Sequence, residues 1–198
     1  MRTIFTAICL GTLLLPLQAQ KKPLALRLSI FNESTALPFT RFFTLPIHPG
    51  IQAGTDFTLA QKKQHHLYQT IQAGYIWHRH LYQAVFVQTE TAYDYRFRFG
   101  LTLKALFGIG YMHSFSVKKE YRFINGHYVQ KPDRGNARAI PSLSLGIGYR
   151  VQPKTLYSPE IFLLYQSWIE YPYSPGFIPA MTHVCLQFGT RFYIQRKS

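Results

Sequence analysis

The segment Ser142-Leu-Ser-Leu-Gly-Ile-Gly-Tyr-Arg-Val151 alternates small or polar residues with large apolar ones without a break. Side chains of an extended strand project to opposite sides with period two. Leu143, Leu145, Ile147, Tyr149 and Val151 therefore share one face, and Ser142, Ser144, Gly146, Gly148 and Arg150 share the other. Similar alternation returns at 24–32, 50–60, 67–77, 81–93, 97–117, 160–171 and 184–194. Beyond residue 19 no dozen residues form a 3.6-residue apolar stripe, and Tyr (14) and Phe (16) are abundant, which favours strands over helices. The chain reads as all-β.

The start of the chain sets an expected compartment. Met1-Arg2 is a short basic opening, 4–17 is a mostly apolar run, and Leu17-Gln18-Ala19 ends in a small residue. That is the form of a cleaved export signal, giving a signal peptide over 1–19 and one mature domain over 20–198; the rival reading is an uncleaved anchor. Cys9 falls too early in the run for a lipoprotein cleavage box. After cleavage Cys185 stands alone, which forbids an intrachain disulfide. No later segment approaches the roughly 20 unbroken apolar residues of a membrane helix. An exported chain can still enter a membrane by closing a barrel.

Loss of the signal removes only Arg2 from a formal net charge of +14. Such basicity fits nucleic acid, anionic lipid or plain solubility. Export disfavours nucleic acid, and anionic head groups, including those of phosphorylated glycolipids, are the more natural counter-charge.

The connections between these eight segments alternate in character. Residues 60–66, 94–96 and 152–159 read as short polar turns, and 33–45, 118–138 and 172–180 as longer loops. The tight 78–80 connection is the exception. Pro49, Pro141 and Pro172 lie at strand ends, where a missing N–H is tolerated. An even strand count returns both termini to one side. The pattern predicts an eight-stranded antiparallel up-and-down transmembrane β-barrel, apolar outside and polar within. Ile51-Gln-Ala-Gly54 echoes Ile71-Gln-Ala-Gly74, and Gly108-Ile-Gly-Tyr111 echoes Gly146-Ile-Gly-Tyr149, a weak sign of hairpin repetition.

The export signal, the eight amphipathic strands, the Gly-x-Gly-Tyr segments and the aromatic last strand together resemble the small bacterial outer-membrane β-barrel proteins. The resemblance spans essentially the whole mature chain and rests on pattern, not on an identifying motif. It implies an outer-membrane location, lipid and glycolipid as neighbours, and handling by the barrel-assembly machinery during biogenesis. In that family the last strand commonly ends in Phe as the assembly signal. Phe192-Tyr193-Ile194 looks similar, although Gln195-Arg-Lys-Ser198 follows it.

Some members of the family are lipid-modifying esterases with His and Ser on the lipid-facing wall, which directs attention to Tyr111-Met-His-Ser-Phe-Ser116. A nucleophile and its base must come within hydrogen-bond reach. Alternation points His113 outward but Ser114 and Ser116 inward, so no catalytic residue is assigned. The histidines show no metal spacing, His65-His66 and His78-x-His80 being the nearest approach, and no phosphate-binding glycine loop precedes a helix. No cofactor or metal is expected.

Two groups of residues remain as candidate sites. Arg27, Asp56, Glu90, Arg98, Lys104, Arg150, Glu170 and Arg191 share the predicted lumen. An eight-stranded barrel has room inside only for side chains, so these charges are expected to pair and plug it; a small pore is the rival. The 118–138 loop carries Lys118, Lys119, Arg122, Lys131, Arg134 and Arg138 among Tyr121, Phe123 and Tyr128, with only Glu120 and Asp133 in opposition. It reads as a phosphate or acidic-ligand grip, or as a plain solvated basic loop. Trp77, Tyr75, Tyr111, Tyr149 and Tyr171 are candidates for interfacial aromatic belts, or for ordinary packing.

The expected function is that of a non-enzymatic outer-membrane barrel with an envelope-structural or surface ligand-binding role. A lipid-A-modifying enzyme and a small pore are the alternatives. A soluble lipocalin-type barrel would need a greasy interior, which Arg98, Lys104, Arg150 and Arg191 oppose. No protein partner is identifiable.

Overall fold

A computed structural model describes residues 23–194 apart from 80, 119, 125, 133 and 175–176. The expected signal peptide, its cleavage point before Gln20 and the tail 195–198 lie outside the described residues. The strands are β1 (Leu24–Thr35), β2 (Pro49–Gln61), β3 (His65–Trp77), β4 (Tyr82–Arg96), β5 (Leu101–Ser116), β6 (Glu120–Ile124), β7 (His127–Lys131), β8 (Asn136–Ala139), β9 (Ser142–Arg150), β10 (Glu160–Glu170) and β11 (Met181–Ile194). No helix occurs among the described residues.

Each main strand pairs antiparallel with its sequence neighbour, and β1 pairs with β11 from Leu24↔Ile194 to Thr35↔His183, which closes the ring. β8 and β9 form one stave. They keep the same register against β5, and Ile140 exchanges backbone hydrogen bonds with Gly110 between them at 2.9 and 3.0 Å. Pro141, lacking an N–H, is what interrupts the ladder. The fold is thus a closed eight-stranded antiparallel barrel. β6 and β7 make a separate hairpin that stands outside it.

The large apolar residues of the alternating pattern lie on the outside. Leu28, Ile30, Ile51, Ile71, Val87, Leu103, Phe107, Leu145 and Ile161 are all exposed, and they run round the whole circumference. Water would not tolerate a continuous apolar belt of that extent, whereas lipid requires one. The inner face holds glycines and polar residues. Glycine is needed where a lumenal ring lies flat on the wall: a Cβ at Gly50 would fall 2.1 Å from the Phe31 ring, and one at Gly74 would fall 2.3 Å from that of Phe86.

One end of the barrel carries the first and last strand termini and the connections 62–64, 97–100 and 151–159. The opposite end, here the outer end, carries 36–48, 78–81, 117–135 and 171–180. Two details depart from the sequence reading. β4 runs through Arg96, so Asp94-Tyr95-Arg96 is strand and not turn. The turn falls instead at 97–100, where Gly100 adopts φ +108° and its N–H donates to Phe97 O at 3.2 Å. Only glycine enters that region without strain, so β5 begins at Leu101.

Candidate functional site: a filled lumen and the outer loops

The lumen is built in layers. Nearest the end that holds the strand termini, Arg27, Lys104 and Arg191 meet Asp56, Asp94 and Glu160, all buried. Lys104 Nζ lies 2.9 Å from Asp94 and 2.8 Å from Glu160, and Arg191 reaches Asp56 at 2.6 Å, Glu160 at 3.0 Å and Asp94 at 3.1 Å. Arg27 stands 3.6 Å from Asp56. The Tyr68 hydroxyl accepts from Arg27 at 3.1 Å and donates to Asp94 at 3.0 Å, and its ring lies under the Arg191 guanidinium at 4.3 Å. Three cations facing three carboxylates leave the cluster neutral, which is what low-dielectric burial demands. Arg96 adds a contact to His66 at 2.6 Å, and Arg150 donates to Phe97 O at 3.4 Å near the mouth.

Above this lies a hydrogen-bonded layer around the Glu90 carboxyl group. Its Oε1 receives Gln166 at 3.0 Å and Ser142 and Ser144 at 3.2 Å each, and its Oε2 receives Gln72 at 2.9 Å. Gln52 donates to Gln187, and Gln187 to Gln166, at 2.8 and 2.6 Å. Next comes an apolar layer of Phe31, Ile76, Phe86, Met112, Ile140 and Trp168, with Cys185 at its edge. The cavity among these side chains measures about 10 Å³, about one water by the usual measure. At the outer end His183 sits between Glu33 (2.7 Å) and Glu170 (2.8 Å), under the parallel ring of Trp168, and Arg138 pairs with Glu170.

The structure therefore places Arg27, Asp56, Glu90, Lys104, Arg150, Glu170 and Arg191 inside. Arg98 is a correction: it lies exposed in the 97–100 turn, outside the lumen, because the strand ends before it. Alternation alone missed Asp94, Glu160, Arg96, Glu33 and His183. The inward parity of Asp94 and Arg96 was available in the sequence, but a polar triplet beside Phe97 reads as a turn.

The outer loops differ from the sequence reading in two ways. Arg138 is not a loop cation, since it belongs to β8 and is paired with Glu170 of β10. Within 117–135, β6 and β7 form a hairpin whose register sets Phe123 against Tyr128 and Tyr121 against Gln130. Tyr121, Phe123 and Tyr128 are exposed there, as are Lys118 and Arg134. Arg122 pairs in register with Val129, and Lys131 with Glu120. Lys119 lies outside the described residues.

The 111–116 segment does not assemble a nucleophile and base. His113 is on the outer wall, with Nδ1 at 2.9 Å from the Tyr111 hydroxyl and Nε2 at 3.2 Å from Arg134 O. Ser114 is buried on the opposite face, and Ser116 donates to Lys118 O at 3.1 Å. No group of three metal-binding side chains occurs among the described residues. Tyr75, Trp77, Tyr111, Tyr149 and Tyr171 all project outward and exposed.

A closed barrel with an apolar exterior and a charge-filled interior defines a class, the small membrane-spanning barrels. No family model and no curated protein matches the chain. Solved structures do. Neisserial surface protein A aligns with a TM-score of 0.52 at 11% identity, covering 87% of this chain and 97% of its own. The outer-membrane enzyme PagL gives 0.49 at 10% identity, covering 86% and 99%. Ail, the attachment invasion locus protein of Yersinia pestis, gives 0.44 at 11% identity, covering 87% and 100%. The chain has the architecture of the small bacterial outer-membrane β-barrel proteins. At such identities the likeness is one of fold, and fold does not assign chemistry.

Proposed function

We propose that this chain is exported to the outer membrane and works there without catalysis, as a closed barrel that presents a basic aromatic hairpin to phosphorylated glycolipid. The observation that supports this reading is the filled lumen. With charge, hydrogen-bonded and apolar layers stacked across it, recognition falls to the exterior, where the outer loops carry the exposed polar surface. Exposed Tyr121, Phe123 and Tyr128 beside Lys118 and Arg134 suit an interface that is apolar at the acyl boundary and anionic at the head group.

The test neutralises Lys118, Lys119, Arg122, Lys131 and Arg134 to Gln and leaves Arg138, whose charge serves the barrel. Binding of purified phosphorylated glycolipid should fall at least tenfold, while heat-modifiable gel mobility stays unchanged. Dephosphorylated glycolipid should bind the unaltered protein no better than phosphorylated glycolipid binds the variant. Unchanged binding in the variant would end the proposal. A mass change in glycolipid incubated with the protein would favour an enzyme instead.

A further inference from the structure

The 36–48 connection does not project from the outer end as a solvated loop. It folds down over the outer wall. Asn32, on the outward face of β1, donates to Thr44 O at 2.9 Å and accepts from His48 N at 2.8 Å. Tyr165, on the outward face of β10, accepts from Phe39 N at 2.9 Å and donates to Arg41 O at 3.3 Å, between the rings of Phe39 and Phe42. Its outward side chain is consequently 7% exposed. Leu37, Phe42, Phe43, Leu45 and Ile47 nonetheless stay exposed along the strap, Leu45 at 76%. A strap held in place by these four polar contacts, yet covered in bare apolar side chains, has the chemistry of a segment lying in the acyl region.

Between strap and wall runs a groove of about 580 Å³, within the roughly 300–1,000 Å³ of ordinary ligand sites. Its floor is one cross-strand row, in which Leu163 pairs with Phe188, Phe188 with Ile30, Ile30 with Ile51 and Ile51 with Tyr75. Phe43 and Ile47 form its outer lip, and Trp77 lines it as well. The groove is continuous with the lipid-facing belt. The strap also carries an exposed cation, Arg41, two residues before Phe43, with its backbone carbonyl on the Tyr165 hydroxyl two positions from Leu163 of the floor.

We infer that this groove is a lateral lipid site, holding one acyl chain of an anionic lipid whose head group the strap's exposed Arg41 would meet. The site rests on the membrane reading above but is independent of the basic hairpin. Ordinary boundary lipid would exchange along the wall; a chain under the strap is enclosed on two sides and is retained.

Full-length protein in dodecylmaltoside micelles is titrated with phosphatidylglycerol brominated on its acyl chains, and tryptophan fluorescence is followed. Trp77 lies in the groove, whereas Trp168 is buried in the lumen and supplies a constant background. Half-quenching should come at a several-fold lower mole fraction of brominated lipid than in the strap-released variant Asn32→Ala/Tyr165→Phe. The same mole fraction in both would overturn the site. Where the released variant does not fold, Arg41→Gln serves, since that side chain is exposed; it should also need several-fold more lipid, and an unchanged titration again overturns the proposal. A failure of the membrane reading would look different, as a soluble product without heat-modifiable mobility.

Discussion

Asp94 receives Lys104, Arg191 and the Tyr68 hydroxyl within 3.1 Å while wholly buried. Truncating one member of such a cluster leaves its partners as uncompensated charge, at a cost of about 3–5 kcal/mol. Asp94→Ala should therefore lower the guanidinium midpoint of the folded barrel markedly, and adding Lys104→Met should restore part of the loss. A double variant no more stable than the single one would mean the pair does not act as a unit. How far these residues were legible in the sequence depends on strand ends. Parity assigns a side only while the strand continues, so it suffices for Arg27, Lys104 and Arg191 in mid-strand. Arg98 has the same parity as Asp94 and Arg96, yet lies past the end of β4, inside the turn that Gly100 completes. Nothing in a periodic pattern marks that point.

At the scale of elements the sequence shows the staves and hides the strap. Every stave has an alternating run that survives in isolation, because each residue's environment is set by the side of the wall it faces. The course of 36–48 depends instead on Asn32 and on Tyr165, which is 126 positions from Phe39 and reads as one more lipid-facing aromatic. Long-range contacts of that kind leave no local period. The strap should be protected as long as its anchors hold. Limited trypsin digestion of the folded barrel should cleave after Arg41 at least several times faster in Asn32→Ala/Tyr165→Phe than in the parent, with the barrel fragment intact in both. Equal cleavage rates would mean that these hydrogen bonds do not hold the strap. The β8–β9 stave illustrates the converse case: Pro141 splits its alternation, and only the common register against β5 reveals that 136–150 is one wall element.

For the whole molecule, what matters is that the closures of the lumen lie in series. The charge cluster of Asp56, Asp94, Glu160 and their cations fills one end, and the Phe31, Phe86 and Trp168 layer fills the other half. They exclude ions for different reasons. The first is filled by paired side chains whose three positive and three negative charges leave no net charge to stabilise a passing ion, and the second offers few polar contacts to replace its hydration shell. A conducting path needs both to open at once. The intact protein in planar bilayers should accordingly show no single-channel steps. Phe31→Ala/Phe86→Ala, which empties the apolar layer, should stay silent too, because the charge cluster still blocks the path. That variant should lose stability by an amount typical of large-to-small core changes, about 3–5 kcal/mol per aromatic, and remain non-conducting. Steps in the parent would contradict a filled lumen. Steps in the variant alone would locate the whole barrier in the apolar layer and reduce the charge cluster to a stabilising role.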